Sequence, residues 1–119
     1  MMLTLDKELR LGFVPAAGWY DAEVVNIETV LVNGTETKLR FAFRLDTGHL
    51  AYMSCNLSHD PKSNLARLWT TLTGKDSATI RLAELLGKRC RVYVERYETI
   101  NRVFRVEGGE TDGICRRTA

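Results

Sequence analysis

Cysteine is scarce and unpaired in this chain. The three residues, Cys55, Cys90 and Cys115, form no CxxC pair and leave an odd count. An odd count argues against a disulfide framework, and structural zinc sites normally have paired, closely spaced ligands, so neither is expected. Long apolar runs are missing too. No stretch approaches the ~20 residues that span a bilayer. The opening Met1-Met2-Leu3-Thr4-Leu5-Asp6-Lys7 lacks the apolar run of a signal peptide. With free thiols, that reads as a reducing, cytoplasmic setting. The glycosylation patterns Asn33-Gly34-Thr35 and Asn56-Leu57-Ser58 then carry no information.

An excess of one charge sign is also absent, with a formal net charge of only +2. The total conceals an asymmetry. Residues 1–37 carry two basic groups, Lys7 and Arg10, against six acidic ones, while residues 38–119 carry 15 basic and 9 acidic groups. The basic excess therefore lies on the later elements. What is present is ordinary for one globular domain: 119 residues, 45% hydrophobic and 27% charged.

Residues 1–17 read as an irregular arm. Gly18 to Val32 is rich in β-branched and aromatic residues and predicts a long strand, with Tyr20, Ala22 and Val24 on one face and Asp21 and Glu23 on the other. The alternation slips at Val24-Val25, which predicts a bulge. Asn33-Gly34 signals a tight turn. Lys38 to Leu45 alternates cleanly, with Leu39, Phe41, Phe43 and Leu45 opposite Lys38, Arg40, Ala42 and Arg44. After Asp46-Thr47-Gly48, residues 49–57 predict a third strand, with Ala51, Met53 and Cys55 on one face and Leu50, Tyr52 and Ser54 on the other. Either face could be the inner one. His49 is expected to be a solvated turn residue.

Asp60-Pro61 predicts the start of a helix over about 61–73, with Asp60 as N-cap and Pro61 in the first turn. Leu65, Leu68, Trp69 and Leu72 form its apolar stripe, and Gly74 suits the left-handed cap. Residues 83–87 read as a second short helical turn. A fourth strand follows over Arg89 to Tyr97, then a loop Glu98 to Arg102, then a fifth strand Val103 to Val106 with Phe104 and Val106 inward. Residues 108–119 read as a flexible basic tail. Three hairpin-linked strands, a helix and two more strands is the order of the OB-fold, a mainly β, five-stranded barrel. The expected domain is 18–107.

Lys38, Arg40, Arg44, Tyr52, Arg89, Arg91, Tyr93, Tyr97, Arg102 and Arg105 are expected to point outward. Cations that neutralise phosphates, interleaved with rings that stack on bases, are what single-stranded nucleic acid requires. Outward arginines also solubilise and protect strand edges, and tyrosine is favoured in strands by propensity alone. The set is more informative than any member. All of it except Arg89 is taken as the candidate nucleic-acid surface. Trp19 could stack on a base or seal the barrel end; Trp69 belongs to the core stripe.

The segments Gly18-Trp19-Tyr20-Asp21-Ala22-Glu23-Val24, Lys38-Leu39-Arg40-Phe41-Ala42-Phe43, Ser63-Asn64-Leu65, Leu72-Thr73-Gly74 and Leu85-Leu86-Gly87-Lys88-Arg89-Cys90-Arg91-Val92 resemble those of small phage and prophage OB-fold proteins. The resemblance spans roughly residues 18–107. It implies single-stranded DNA binding in replication or recombination, with other proteins of those processes as possible partners. Such proteins usually end in an acidic recruiting tail, whereas this chain ends in Arg116-Arg117-Thr118-Ala119.

Catalysis is not expected. Ser58-His59-Asp60 has the residue types of a hydrolase triad, but consecutive residues do not generally align nucleophile, base and acid. Thr73-Gly74-Lys75 ends a helix, whereas a phosphate loop opens one. No metal or other cofactor is expected. The reading is a non-catalytic protein that binds single-stranded DNA, with RNA as the other candidate nucleic acid, with little sequence preference, and self-association is compatible with it. The alternative is an OB-fold that serves only as a protein-interaction module or subunit.

Overall fold

The computed structural model describes residues 9–57 and 60–108. The sequence patterns become β1 (Gly18–Val32), β2 (Glu36–Leu45), β3 (Leu50–Asn56), α1 (Asn64–Thr73), a 3-10 turn (Leu82–Leu85), β4 (Arg89–Tyr97) and β5 (Ile100–Glu107). The strands close into a ring in the order β1-β2-β3-β5-β4. This order, with the helix between β3 and β4, is that of an OB-like barrel.

Closure depends on β1 serving two neighbours. Its residues Gly18 to Glu23 pair with β4, and Ala22 to Val32 pair with β2. The expected bulge is present, since the register shifts between Val24 and Asn26. Just there the strand is held by Gly87, whose N–H donates to the Val24 carbonyl at 2.8 Å, and by Lys88, whose carbonyl accepts from Val24 at 3.0 Å. The β1–β2 hairpin turns on Asn33 (φ 56°) and Gly34 (φ 74°), both in the left-handed region that such a turn requires.

Alternation then sorts the faces. Leu39, Phe41, Phe43, Leu45, Ala51, Cys55, Cys90, Val92, Val94 and Val103 fill the interior. On β3 the inner face is therefore that of Ala51 and Cys55, and Tyr52 points outward. Helix α1 closes one end of the barrel with Leu65, Leu68, Trp69 and Leu72. Buried Trp69 donates its indole N–H to the Asp76 carbonyl at 2.7 Å.

Three local expectations are corrected. The helix begins at Asn64, with Ser63 as N-cap accepting from the Ala66 N–H at 3.2 Å. Asp60 instead accepts from the Lys62 N–H at 2.9 Å, closing a turn around Pro61 before the helix starts. The loop expected over Glu98 to Arg102 is a two-residue hairpin turn, Glu98-Thr99, and β5 begins at Ile100. His49 is buried, with its Nδ1 2.8 Å from the Thr47 hydroxyl. Residues 109–119, most of the expected tail, lie outside the described residues, as do Ser58 and His59.

The last closure, β3 against β5, is parallel and rests on one registered pair, Tyr52 with Arg102. Asn101 secures it. Its side chain is 4% exposed. The amide oxygen accepts from the Val14 N–H at 3.0 Å, and the amide nitrogen donates to the carbonyls of Gly12 at 3.0 Å and Leu50 at 2.9 Å. One side chain thus ties the arm, the start of β3 and β5 together. The arm is further held by the Arg10 N–H donating to the Gly48 carbonyl at 2.7 Å.

Asn101→Ala leaves the Val14 N–H, a buried donor, and two part-buried carbonyl acceptors without partners. It is expected to lower stability by roughly 2–3 kcal/mol in urea denaturation. The two core thiols give a second expectation. Burial pushes Cys90 up to about 12 and Cys55 up to about 11. Each is raised above its unfolded value, so its contribution is intact below about pH 9 and is lost as pH rises towards those folded values. Stability should fall by up to about 1.4 kcal/mol per pH unit per thiol in that window. Comparing wild type with Cys90→Ala and Cys55→Ala between pH 8 and 11 isolates this from other titrations, because the variants should show a shallower decline.

Candidate nucleic-acid interface

The register distributes the expected surface residues over two places on the outside of the ring. The first lies on β2, β3 and the start of β5. Arg40 stands opposite Glu28 on β1 and Ser54 on β3. Its guanidinium lies over the Tyr52 ring, 5.3 Å from the centroid. Tyr52 is registered in turn with Arg102. The Arg102 guanidinium lies 4.9 Å from the Tyr97 centroid and 4.8 Å from that of Phe104. Tyr97 and Phe104 meet edge to face at 6.5 Å. The result is a run of alternating cations and rings: Arg40, Tyr52, Arg102, then Tyr97 with Phe104.

Phe104 was expected inside. The β4–β5 register jumps from Tyr93/Arg105 to Val94/Val103, so Phe104 is the extra residue of a bulge and turns outward, 42% exposed. No turn residue or break in alternation marks this bulge, since Val103-Phe104-Arg105-Val106 also reads as regular strand.

The second place lies on the first half of β1, on β4 and on the end of β5. Trp19 meets Tyr93 edge to face at 5.6 Å, and the Arg91 guanidinium lies 5.4 Å from the Trp19 ring. Arg105 is registered with Tyr93 and is exposed. Arg91 is flanked by carboxylates, Asp21 at 3.7 Å and Glu107 at 3.6 Å. Its charge is therefore already answered on both sides.

Two residues belong fully to neither group. Lys38 is half-buried between Val30 and Asn56. Arg44 sits between Glu23 and Leu50, and its Nε is buried without a hydrogen-bond partner. Arg96, absent from the expected set, lies 4.1 Å from the Phe13 ring beside the hairpin tip. Exposed Ile100 and Tyr97 flank the turn.

Among the described residues no three His, Cys, Asp or Glu side chains stand together as a metal site. No helix among them is long and apolar enough to cross a membrane. An open groove of about 860 Å³ lies beside α1, lined by Leu39, Leu57, Leu65, Ile80 and Leu82 with Asp60 and Asp76 among its lining residues. It lies away from the cation–ring run. No protein-family model matches the chain, and no curated protein matches it either.

The flanked geometry of Arg91 sets its worth. The pairs are long and their side chains half exposed, so each adds at most about 1 kcal/mol. Arg91→Ala is expected to shift the urea midpoint only slightly, far less than Asn101→Ala, in parallel denaturation curves.

Proposed function

We propose that this chain is a non-catalytic protein that binds single-stranded DNA with little sequence preference. The phage-type replication or recombination setting implied by the sequence resemblance, and the cytoplasm, are part of the same reading. The observation that carries it is the Arg40–Tyr52–Arg102–Tyr97/Phe104 run across β2, β3 and β5. Guanidinium groups attract the phosphates, and exposed ring faces accept bases without reading their edges. Phosphate contacts and stacking carry no sequence information of their own, which suits little sequence preference.

A second reading is an OB-fold that contacts only proteins. It draws on the acid-paired arginines, with Arg40 on Glu28 and Arg91 between Asp21 and Glu107. Such pairing leaves less free positive charge than the composition of the later strands suggests.

Binding to labelled oligothymidylate at two salt concentrations separates the readings. With two to four phosphate contacts, the logarithm of affinity should fall with the logarithm of salt at a slope of about −1.5 to −3. Phe104→Ala and Tyr52→Ala should each weaken binding by about fivefold or more, in line with ~1–3 kcal/mol per stacked base. Arg40→Glu with Arg102→Glu should abolish binding, whereas Arg91→Glu should leave most of it. Oligoribouridylate run alongside shows whether the sugar matters. No binding at low salt favours the protein-only module.

A further inference from the structure

Glu28 has no place in the binding run as drawn, yet it touches its first member. Its Oε2 accepts from Arg40 Nε at 2.9 Å and also from the terminal Nη2 of the same guanidinium. The two residues are directly opposite each other in the β1–β2 register, so strand pairing places the carboxylate there. The same guanidinium lies over the Tyr52 ring. Glu28 therefore occupies the donor edge of Arg40 while Arg40 covers the face of Tyr52.

An arginine fork donates to carboxylate and phosphate oxygens with the same geometry. The pair is also open to solvent, with side chains 45% and 41% exposed. Exposed pairs are weak and exchange readily. A phosphate diester arriving at Arg40 would meet a competitor that is in place but loosely held. Arg102 differs, because its guanidinium lies over the Tyr97 and Phe104 rings, with Glu95 as its partner in the β4–β5 register.

We propose that Glu28 is an internal latch on the nucleic-acid surface. It stands where a backbone phosphate would stand, and it keeps Arg40 parked over Tyr52 until a phosphate displaces it. Displacement hands the donor edge of Arg40 to the phosphate beside the Tyr52 ring, so phosphate contact and base stacking at this position are neighbours. The inference rests on the single-stranded DNA reading above and adds an assignment: the Glu28 carboxylate position marks a phosphate subsite next to the Tyr52 stacking position.

The test is a double-mutant cycle on the full chain, read as affinity for labelled oligothymidylate at low salt. Glu28→Gln keeps the shape and removes the competing charge, and it should tighten binding about two- to fivefold, the range of an exposed pair. In an Arg40→Gln background the same change should have little effect. Glu36→Gln, on the same hairpin but with no ion pair to Arg40, controls for general loss of negative charge and should tighten binding less. If wild type binds but Glu28→Gln gains no more than Glu36→Gln, or gains equally without Arg40, the latch is wrong and the function stands. If wild type does not bind at low salt, the functional reading falls and the latch falls with it.

Discussion

The barrel depends on how β5 is held against β3. Every other strand pair in the ring is antiparallel and makes several registered pairings, but this one is parallel and makes one. A seam that short needs support from outside the ladder. The Asn101 amide supplies it by bonding three backbone groups on two segments, Gly12 and Val14 of the arm and Leu50 of β3. A buried amide with all those partners met is stabilising and directional, whereas a hydrophobic residue in its place would leave the same backbone groups unmet. The seam also has a surface consequence. The pair it brings into register, Tyr52 and Arg102, joins the β2–β3 cation–ring contact to the β4–β5 hairpin. The same closure thus completes both the core and the candidate interface.

Two bulges shape what the ring presents. The bulge at Val24–Asn26 lets β1 change partners and is a matter of topology. The bulge at Phe104 is a matter of chemistry, since it exchanges one buried ring for an exposed one beside Arg102 and Tyr97. An inward Phe104 would have left Tyr97 as the hairpin's single exposed ring next to Arg102. Phe104 is informative because it joins the exposed Tyr97 and Ile100 in one apolar cluster at the hairpin, where a lone exposed ring would not be.

The legibility of these features followed their physical origin. Strand order, the β1 bulge, the Asn33-Gly34 turn, the α1 stripe and the Gly74 cap all arise from local propensity or from periodicity, and each could be read from residues near one another. The helix start was misplaced because two good caps, Asp60 and Ser63, lie three residues apart, and Pro61 favoured the first. Competition between neighbouring local signals is settled by where the chain must enter the helix to lay Leu65 and Trp69 on the barrel. His49 and Asn101 were misjudged for another reason. Both are polar residues whose burial is made tolerable by partners distant in sequence or set by tertiary placement, and no periodicity announces that. Phe104 failed in the same way, because a bulge in a regular-looking strand is decided by its partner strand.

The candidate surface shows the same limit in electrostatic form. Alternation correctly put Arg40 and Arg91 on the outer side of their strands, and the segregation of acid on residues 1–37 was visible in the composition. Antiparallel pairing then sets β1 beside both β2 and β4, so the acidic strand runs between the basic ones. Glu28 meets Arg40 and Asp21 meets Arg91 as a direct result. Charge separated along the chain is therefore partly cancelled in space. Arg105 escapes this because β5 lies between β3 and β4 and never touches β1, while Arg102 meets its opposite acid, Glu95, on β4. The cations of β5 and the exposed rings Tyr97 and Phe104 thus gather on the β4–β5 pair. That is where an anionic, base-bearing strand would be drawn first, before it reached the arginines that carboxylates already hold.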